Sequence, residues 1–232
     1  MSQQQKTLEE QEEELIRQES AIKMQSDEIA KQQKMLEELR KTLADQQIKL
    51  DNIIGVRGEL IEELKREFDR SNMNIKVDEQ TGAITFDSSI LYDYSKDDLK
   101  DSGKDFLDEF TPRYLRILMG PKYRQYVAEI IIEGHTDDAG TYIYNLDLSQ
   151  RRALSVADYI LDEKNGVISK DSIEALEKIL TVNGKSYSNP VYKPGTNEID
   201  PDASRRVEFL FRLKDEEMIQ EMMEILSTEI NG

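Results

Sequence analysis

The stretch IIIEGHTDDAG, residues 130–140, carries the only histidine of the chain, His135, beside Asp137 and Asp138. A histidine followed by carboxylates at the end of an apolar run has the makings of a metal site or an acid–base pair. Either needs more than this stretch supplies. A zinc site takes three or more convergent ligands, and nucleophilic catalysis takes a nucleophile with its base. The chain has no cysteine, no other histidine and no second carboxylate cluster at a recognisable spacing. The expectation is no metal, no cofactor and no enzymatic reaction, with His135 orienting the loop by hydrogen bonding at the end of a strand. Asp137 and Arg152 are a second pair of interest, and spacing alone favours their closing on each other as an ion pair. Tyr142 and Tyr144 lie between them and are expected to be buried.

These side chains need elements to hold them. YVAEIII (126–132) reads as a buried strand and LSQRRALSVADYILDE (148–163) as an amphipathic helix, with Ser149 as N-cap and Ala153, Val156, Ala157 and Ile160 inward. That placement puts Arg152 in the first turn, where free backbone N–H groups add donors for an anion. Upstream, NIKVDEQTGAITF alternates apolar and polar residues around Thr81-Gly82, which predicts a β-hairpin. SKDDLKDSGKDFLDEFTPRYLRIL carries Leu99, Phe106, Leu107, Phe110, Leu115 and Leu118 at helical spacing, with Ser95 as N-cap and Pro112 a candidate break. A second helix, SKDSIEALEKI, precedes the strand-like LTVNGKS; a loop rich in Asn, Pro and Gly spans 188–203. RRVEFLFRL (205–213) is the last strand, whose alternation sends Arg205 and Arg206 to opposite faces. One of the two is expected to face a ligand groove. DEEMIQEMMEILS is expected to close the chain as a helix packed on the body. Together these predict an α+β fold: a β-α-β-α-β-β sandwich of a mixed sheet with helices on one face.

A different signal fills the N-terminus. Leu8, Leu15, Ile22, Ile29, Leu36, Leu43 and Leu50 recur every seven residues, in a stretch without Gly or Pro. A strict seven-residue repeat needs a partner helix and a left-handed supercoil. Three residues further on lie Gln11, Gln18, Gln25, Gln32, Leu39, Gln46 and Ile53, so one core layer is mostly glutamine, which favours a particular register at some cost in stability. From residue 6 to 54 such a helix reaches on the order of 75 Å. Gly55 and Gly58 mark a boundary or joint, followed by a short helix with Leu60, Ile61, Leu64 and Phe68 on one side. The expected organisation is a coiled-coil stalk at 1–56, a linker helix and hairpin at 57–83, the sandwich at 84–213 and a C-terminal helix at 214–232.

The net charge of −17 disfavours nucleic acid and anionic lipid as partners. No apolar run approaches the ~18–20 residues of a membrane span, and no basic start followed by an apolar core opens the chain. The expectation is either a cytoplasmic protein, if the chain is complete, or the extracytoplasmic part of one attached to the inner membrane by a preceding segment.

The run EGHTDDAGTYIYNLDLSQRRA (133–153) resembles the signature of the OmpA C-terminal-like family, EGHTD-x-x-G-x(4)-N-x-x-LS-x-x-RA, with Glu133, Gly134, His135, Thr136, Asp137, Gly140, Asn145, Leu148, Ser149, Arg152 and Ala153 in register. ASRRVEF (203–209) resembles the family's second signature, NRRVE, with Ser204 where Asn is commoner. The resemblance covers roughly residues 84–213. It implies non-covalent binding of peptidoglycan, with Asp137 and Arg152 holding the diaminopimelate of the stem peptide and Thr136, Asn145, Arg205 and Arg206 as supporting ligand residues. Diaminopimelate ends in one ammonium and one carboxylate; Asp accepts from the first and Arg grips the second with two parallel hydrogen bonds.

The stalk makes the chain look most like the stator-type members, similar to MotB or to the B subunit of Zorya motors. That implies a parallel homodimer anchoring a membrane-attached, stator-like assembly to the wall, with a membrane channel or motor subunit as a further partner. The alternative is a coiled-coil scaffold whose domain serves protein contacts without wall binding.

Overall fold

The computed structural model describes residues 3–71, 73 and 75–214, with side chains from Gln11 onward. The C-terminal helix expected over 214–232 falls outside these residues beyond Lys214. The chain divides into two compact units, residues 1–52 and 53–232.

The first unit belongs to helix α1 (Gln3–Asp69). Its heptad residues Leu15, Ile22, Ile29, Leu36 and Leu43 are 51–64 % exposed in the single chain. Helical structure continues through Gly55 and Gly58, so the expected break in the helix does not occur. Each glycine costs about 1 kcal/mol relative to alanine. Burial of Leu60, Ile61, Leu64 and Phe68 at the end of the same helix more than offsets that, at about 1.5–3 kcal/mol per side chain.

Those four side chains belong to the hydrophobic core of the second unit. The segment expected to be a linker is therefore packed into the fold. The predicted hairpin follows: β1 (Lys76–Val77) and β2 (Ile84–Asp87) pair antiparallel with Val77 opposite Ile84. Asp78 closes the turn by accepting from the backbone and hydroxyl of Thr81 and from Gln80 N, which holds its carboxyl below the usual range. Gly82 sits at φ 72°, a conformation that suits glycine.

After a single turn, α2 (Ser88–Leu91), comes α3 (Asp101–Leu118). It starts six residues beyond the expected cap, Ser95, which instead adopts φ 57°, and it runs through Pro112 as one helix. Next come β3 (Val127–Gly134), α4 (Tyr142–Leu161), α5 (Lys170–Leu176), β4 (Leu180–Gly184), the short α6 (Pro201–Ser204) and β5 (Arg206–Leu213). The strand order is β1-β2-β5-β3-β4; β3 and β4 run parallel and the other pairs antiparallel. This is the mixed sheet that the alternation of elements predicts. Ile130, Ile132, Val207, Phe209 and Phe211 face the helices, and Phe110 packs edge-on against Phe209 with ring centres 4.9 Å apart. The other face carries cross-strand partners such as Glu133 opposite Glu208.

Candidate functional site

Two glycines bring α4 onto the ends of the central strands. A Cβ on Gly134 would lie 2.2 Å from the Ser149 carbonyl oxygen, and one on Gly184 would lie 2.6 Å from Gln150 N. With only hydrogen there, the helix backbone sits directly over the C-terminal ends of β3 and β4. The chain leaving β3 is then pinned from both sides, since His135 N donates to the Arg206 carbonyl and Thr136 N to that of Ser186, each at 2.9 Å.

Asp137 follows. Its Oδ1 accepts from Ala139 N at 3.1 Å, and the carbonyl of Ala139 accepts from Asn145 Nδ2 at 2.9 Å. Gly140 turns the chain at φ 101°, and the Thr141 hydroxyl caps α4 through Tyr144 N. The helix thus begins six residues before the expected start at 148. Ser149 is no cap: it is buried in the helix, where its hydroxyl accepts from Ser186 N. Arg152 consequently lies ten residues into the helix, where the backbone offers no free N–H, and any anion there must be held by its side chain alone.

Arg152 is 4 % exposed. Its Nε donates to the Lys96 carbonyl at 2.8 Å, and its guanidinium carbon sits 5.2 Å from the centre of the Tyr92 ring. The Tyr92 hydroxyl in turn donates to the Arg152 carbonyl. The 92–96 loop that supplies these contacts contains Ser95 at its left-handed φ. Burial lowers the Arg152 pKa, with the charge of Arg205 adding to that and Tyr92, Asp97 and Asp137 opposing it.

The ion pair that spacing favours does not form. Asp137 Oδ2 pairs with Arg205, whose other terminal nitrogen pairs with Asp202. Among the described residues no carboxylate lies within ion-pair distance of Arg152. Asp137 and Arg152 instead line one cavity of about 150 Å³. Thr136, Asn145 and Arg205 line it too, and Thr136 Oγ1 is buried with no hydrogen-bond partner. Tyr144 stands at the wall of this cavity and, like Tyr142, is exposed rather than buried; Tyr94, 75 % exposed, is a cavity residue that sequence reasoning missed. Arg206 is not among these residues. As a residue of β5 it turns the other way, with Nε on Glu208 Oε1 at 2.6 Å and Nη1 on the Asn189 carbonyl.

His135 has acidic neighbours after all. Its Nε2 is 3.7 Å from Glu133 Oε2 and 3.6 Å from Glu208 Oε2, a convergence that sequence spacing did not reveal. Both ring nitrogens are buried without a hydrogen-bond partner among the described residues, so the ring does not orient the loop by hydrogen bonding as expected. The remaining carboxylate oxygens are taken by Lys185 Nζ at 3.0 Å and by Arg206 Nε. Two carboxylates matched by two cations leave little negative charge for a buried divalent ion. The donor set fits a balanced charge network better than a metal centre. Burial by itself would raise the Glu208 carboxyl, but the hydrogen bond and charge of Arg206 and the nearness of the His135 ring outweigh it and hold the group at about 2. The missed signal lay in RRVE, whose glutamate reaches His135 only through the β3–β5 register.

Fold and site together define a domain class. Residues 91–205 match the model of the OmpA family, and this part of the chain is an OmpA-family domain. The relatives narrow this further. The chain is similar to the Zorya protein ZorB of Escherichia coli, 35 % identical over 150 residues that make up 61 % of each chain. A second Escherichia coli Zorya protein ZorB is 30 % identical over 162 residues, 67 % of this chain and 63 % of the relative. The chain therefore spans somewhat under two thirds of the length of either relative. Among solved structures, a MotB-like protein from Desulfovibrio vulgaris superposes with a TM-score of 0.51 at 20 % identity, covering 70 % of this chain and 94 % of the other. No helix among the described residues is long and apolar enough to cross a membrane.

Proposed function

We propose that this protein binds peptidoglycan non-covalently through the diaminopimelate of the stem peptide. In this reading it anchors a dimeric, membrane-attached, stator-like assembly to the cell wall from the extracytoplasmic side. The observation that carries the reading is the buried guanidinium of Arg152, without a carboxylate of its own, in the same cavity as Asp137. A cavity of about 150 Å³ has room for a group the size of an amino-acid head. Arg152 takes the carboxylate and Asp137 the ammonium, with Thr136, Asn145 and Arg205 around them. Similarity to the Zorya relatives supports the stator assignment and a membrane motor subunit as partner. The exposed heptad positions of α1 support the parallel homodimer.

Titration of the full chain with a diaminopimelate-containing muropeptide tests the site. Wild type is expected to bind, with affinity lost in both variants: on the order of 100-fold or more in Arg152→Ala and up to about tenfold in Asp137→Ala. Intact binding in both variants would remove the site assignment. Absence of binding to any muropeptide would leave a coiled-coil scaffold serving protein contacts, and turnover would make the protein an enzyme.

A further inference from the structure

The two halves of the clamp are not equivalent before a ligand arrives. Both oxygens of Asp137 are already engaged, Oδ1 by Ala139 N and Oδ2 by Arg205. An incoming ammonium competes with a resident guanidinium that is itself held by Asp202. Arg152 is in the opposite position. It spends one donor, Nε, on the Lys96 carbonyl, and rests against the Tyr92 ring. A guanidinium has five N–H donors, so the four on its terminal nitrogens remain for the cavity. The side chain is almost fully buried, and no carboxylate among the described residues lies within ion-pair distance. A ligand carboxylate relieves a buried, uncompensated charge, whereas a ligand ammonium exchanges one pairing at Asp137 for another.

Resting on the wall-binding reading above, we infer that the site selects for the free side-chain carboxylate of diaminopimelate, with the ammonium a secondary contact, and that it rejects wall peptides in which that carboxylate is amidated or absent. Arg205 is the positioning residue behind this asymmetry, because it occupies Asp137 in advance.

Calorimetry on the full chain with four tripeptides, L-alanyl-γ-D-glutamyl-X, tests the inference. X is meso-diaminopimelate, its side-chain carboxamide, lysine, or 2-aminopimelate, which keeps the carboxylate and lacks the ammonium. The carboxamide and lysine peptides are expected to bind on the order of 100-fold more weakly than the parent, and the 2-aminopimelate peptide less than about tenfold more weakly. In Arg205→Ala, where Asp137 is released, the penalty for lacking the ammonium is expected to rise several-fold while the carboxylate penalty stays. A carboxamide within about threefold of the parent overturns the inference, as does a 2-aminopimelate peptide as weak as the carboxamide. Equal binding of all four keeps wall binding and sinks the selectivity, while no binding of any of them removes the wall-binding reading and the inference with it.

Discussion

Glu208 is half-buried beside cations while Arg152 is buried without a carboxylate, and the two have opposite consequences for stability. A carboxyl held at about 2 in the folded protein, against an ordinary value near 4.5, stabilises the fold above that ordinary value and loses the contribution as pH falls toward 2. The difference amounts to about 3 kcal/mol at most. Thermal melts from pH 6 down to pH 2 should show wild type losing stability more steeply than Glu208→Gln; parallel curves would remove Glu208 from the acid response. Arg152, buried without a carboxylate, costs the unliganded fold stability that, in the proposed reading, a ligand carboxylate returns. Arg152→Met, which keeps length and removes charge, should leave the melting temperature unchanged or higher while abolishing muropeptide binding. A large loss of stability would mean that the hydrogen bond to the Lys96 carbonyl and the contact with the Tyr92 ring outweigh the cost of the buried charge.

The elements that hold the site depend on close approach more than on hydrogen bonds. Gly134→Ala places a methyl 2.2 Å from the backbone of α4, which cannot give way as a side-chain tip can. A loss on the order of 2–3 kcal/mol is expected in denaturant unfolding, together with weaker ligand binding as α4 is pushed from β3; an unchanged midpoint would show that the helix is not seated there. Much of this architecture was legible beforehand. The runs 126–132 and 205–213 are apolar or alternating over their whole length, and both became strands. The start of α4 was not, because TYIYN carries four β-branched or aromatic residues that argue against a helix, while Ser149 has the look of a cap. Tertiary contacts through Gly134 and Gly184 decide the matter. At the site, Asp137, Arg152, Thr136 and Asn145 could be picked from the resemblance of 133–153 to the family signature, not from spacing, which favours an Asp137–Arg152 ion pair, and the cavity gathers all four. Their partners could not. That Asp137 meets Arg205, and His135 meets Glu208, depends on strand register, which alternation alone does not set.

At the scale of the whole molecule, the exposed heptad face of α1 calls for a second helix. Light scattering at micromolar concentration should give the mass of two chains, and removal of residues 1–54 should return one; a mass of one or three for the full chain would reject the dimer. The last turns of α1 add a mechanical consequence. Leu60, Ile61, Leu64 and Phe68 sit in the same core as the strands whose ends carry Asp137 and Arg205. A pull on the chain at residue 53 therefore enters the domain through packed side chains and not through a slack tether. It reaches the ends of β3 and β5 across antiparallel hydrogen bonds. A load applied there is met by the packed core with little elastic give, as a bolt meets it and a cord does not.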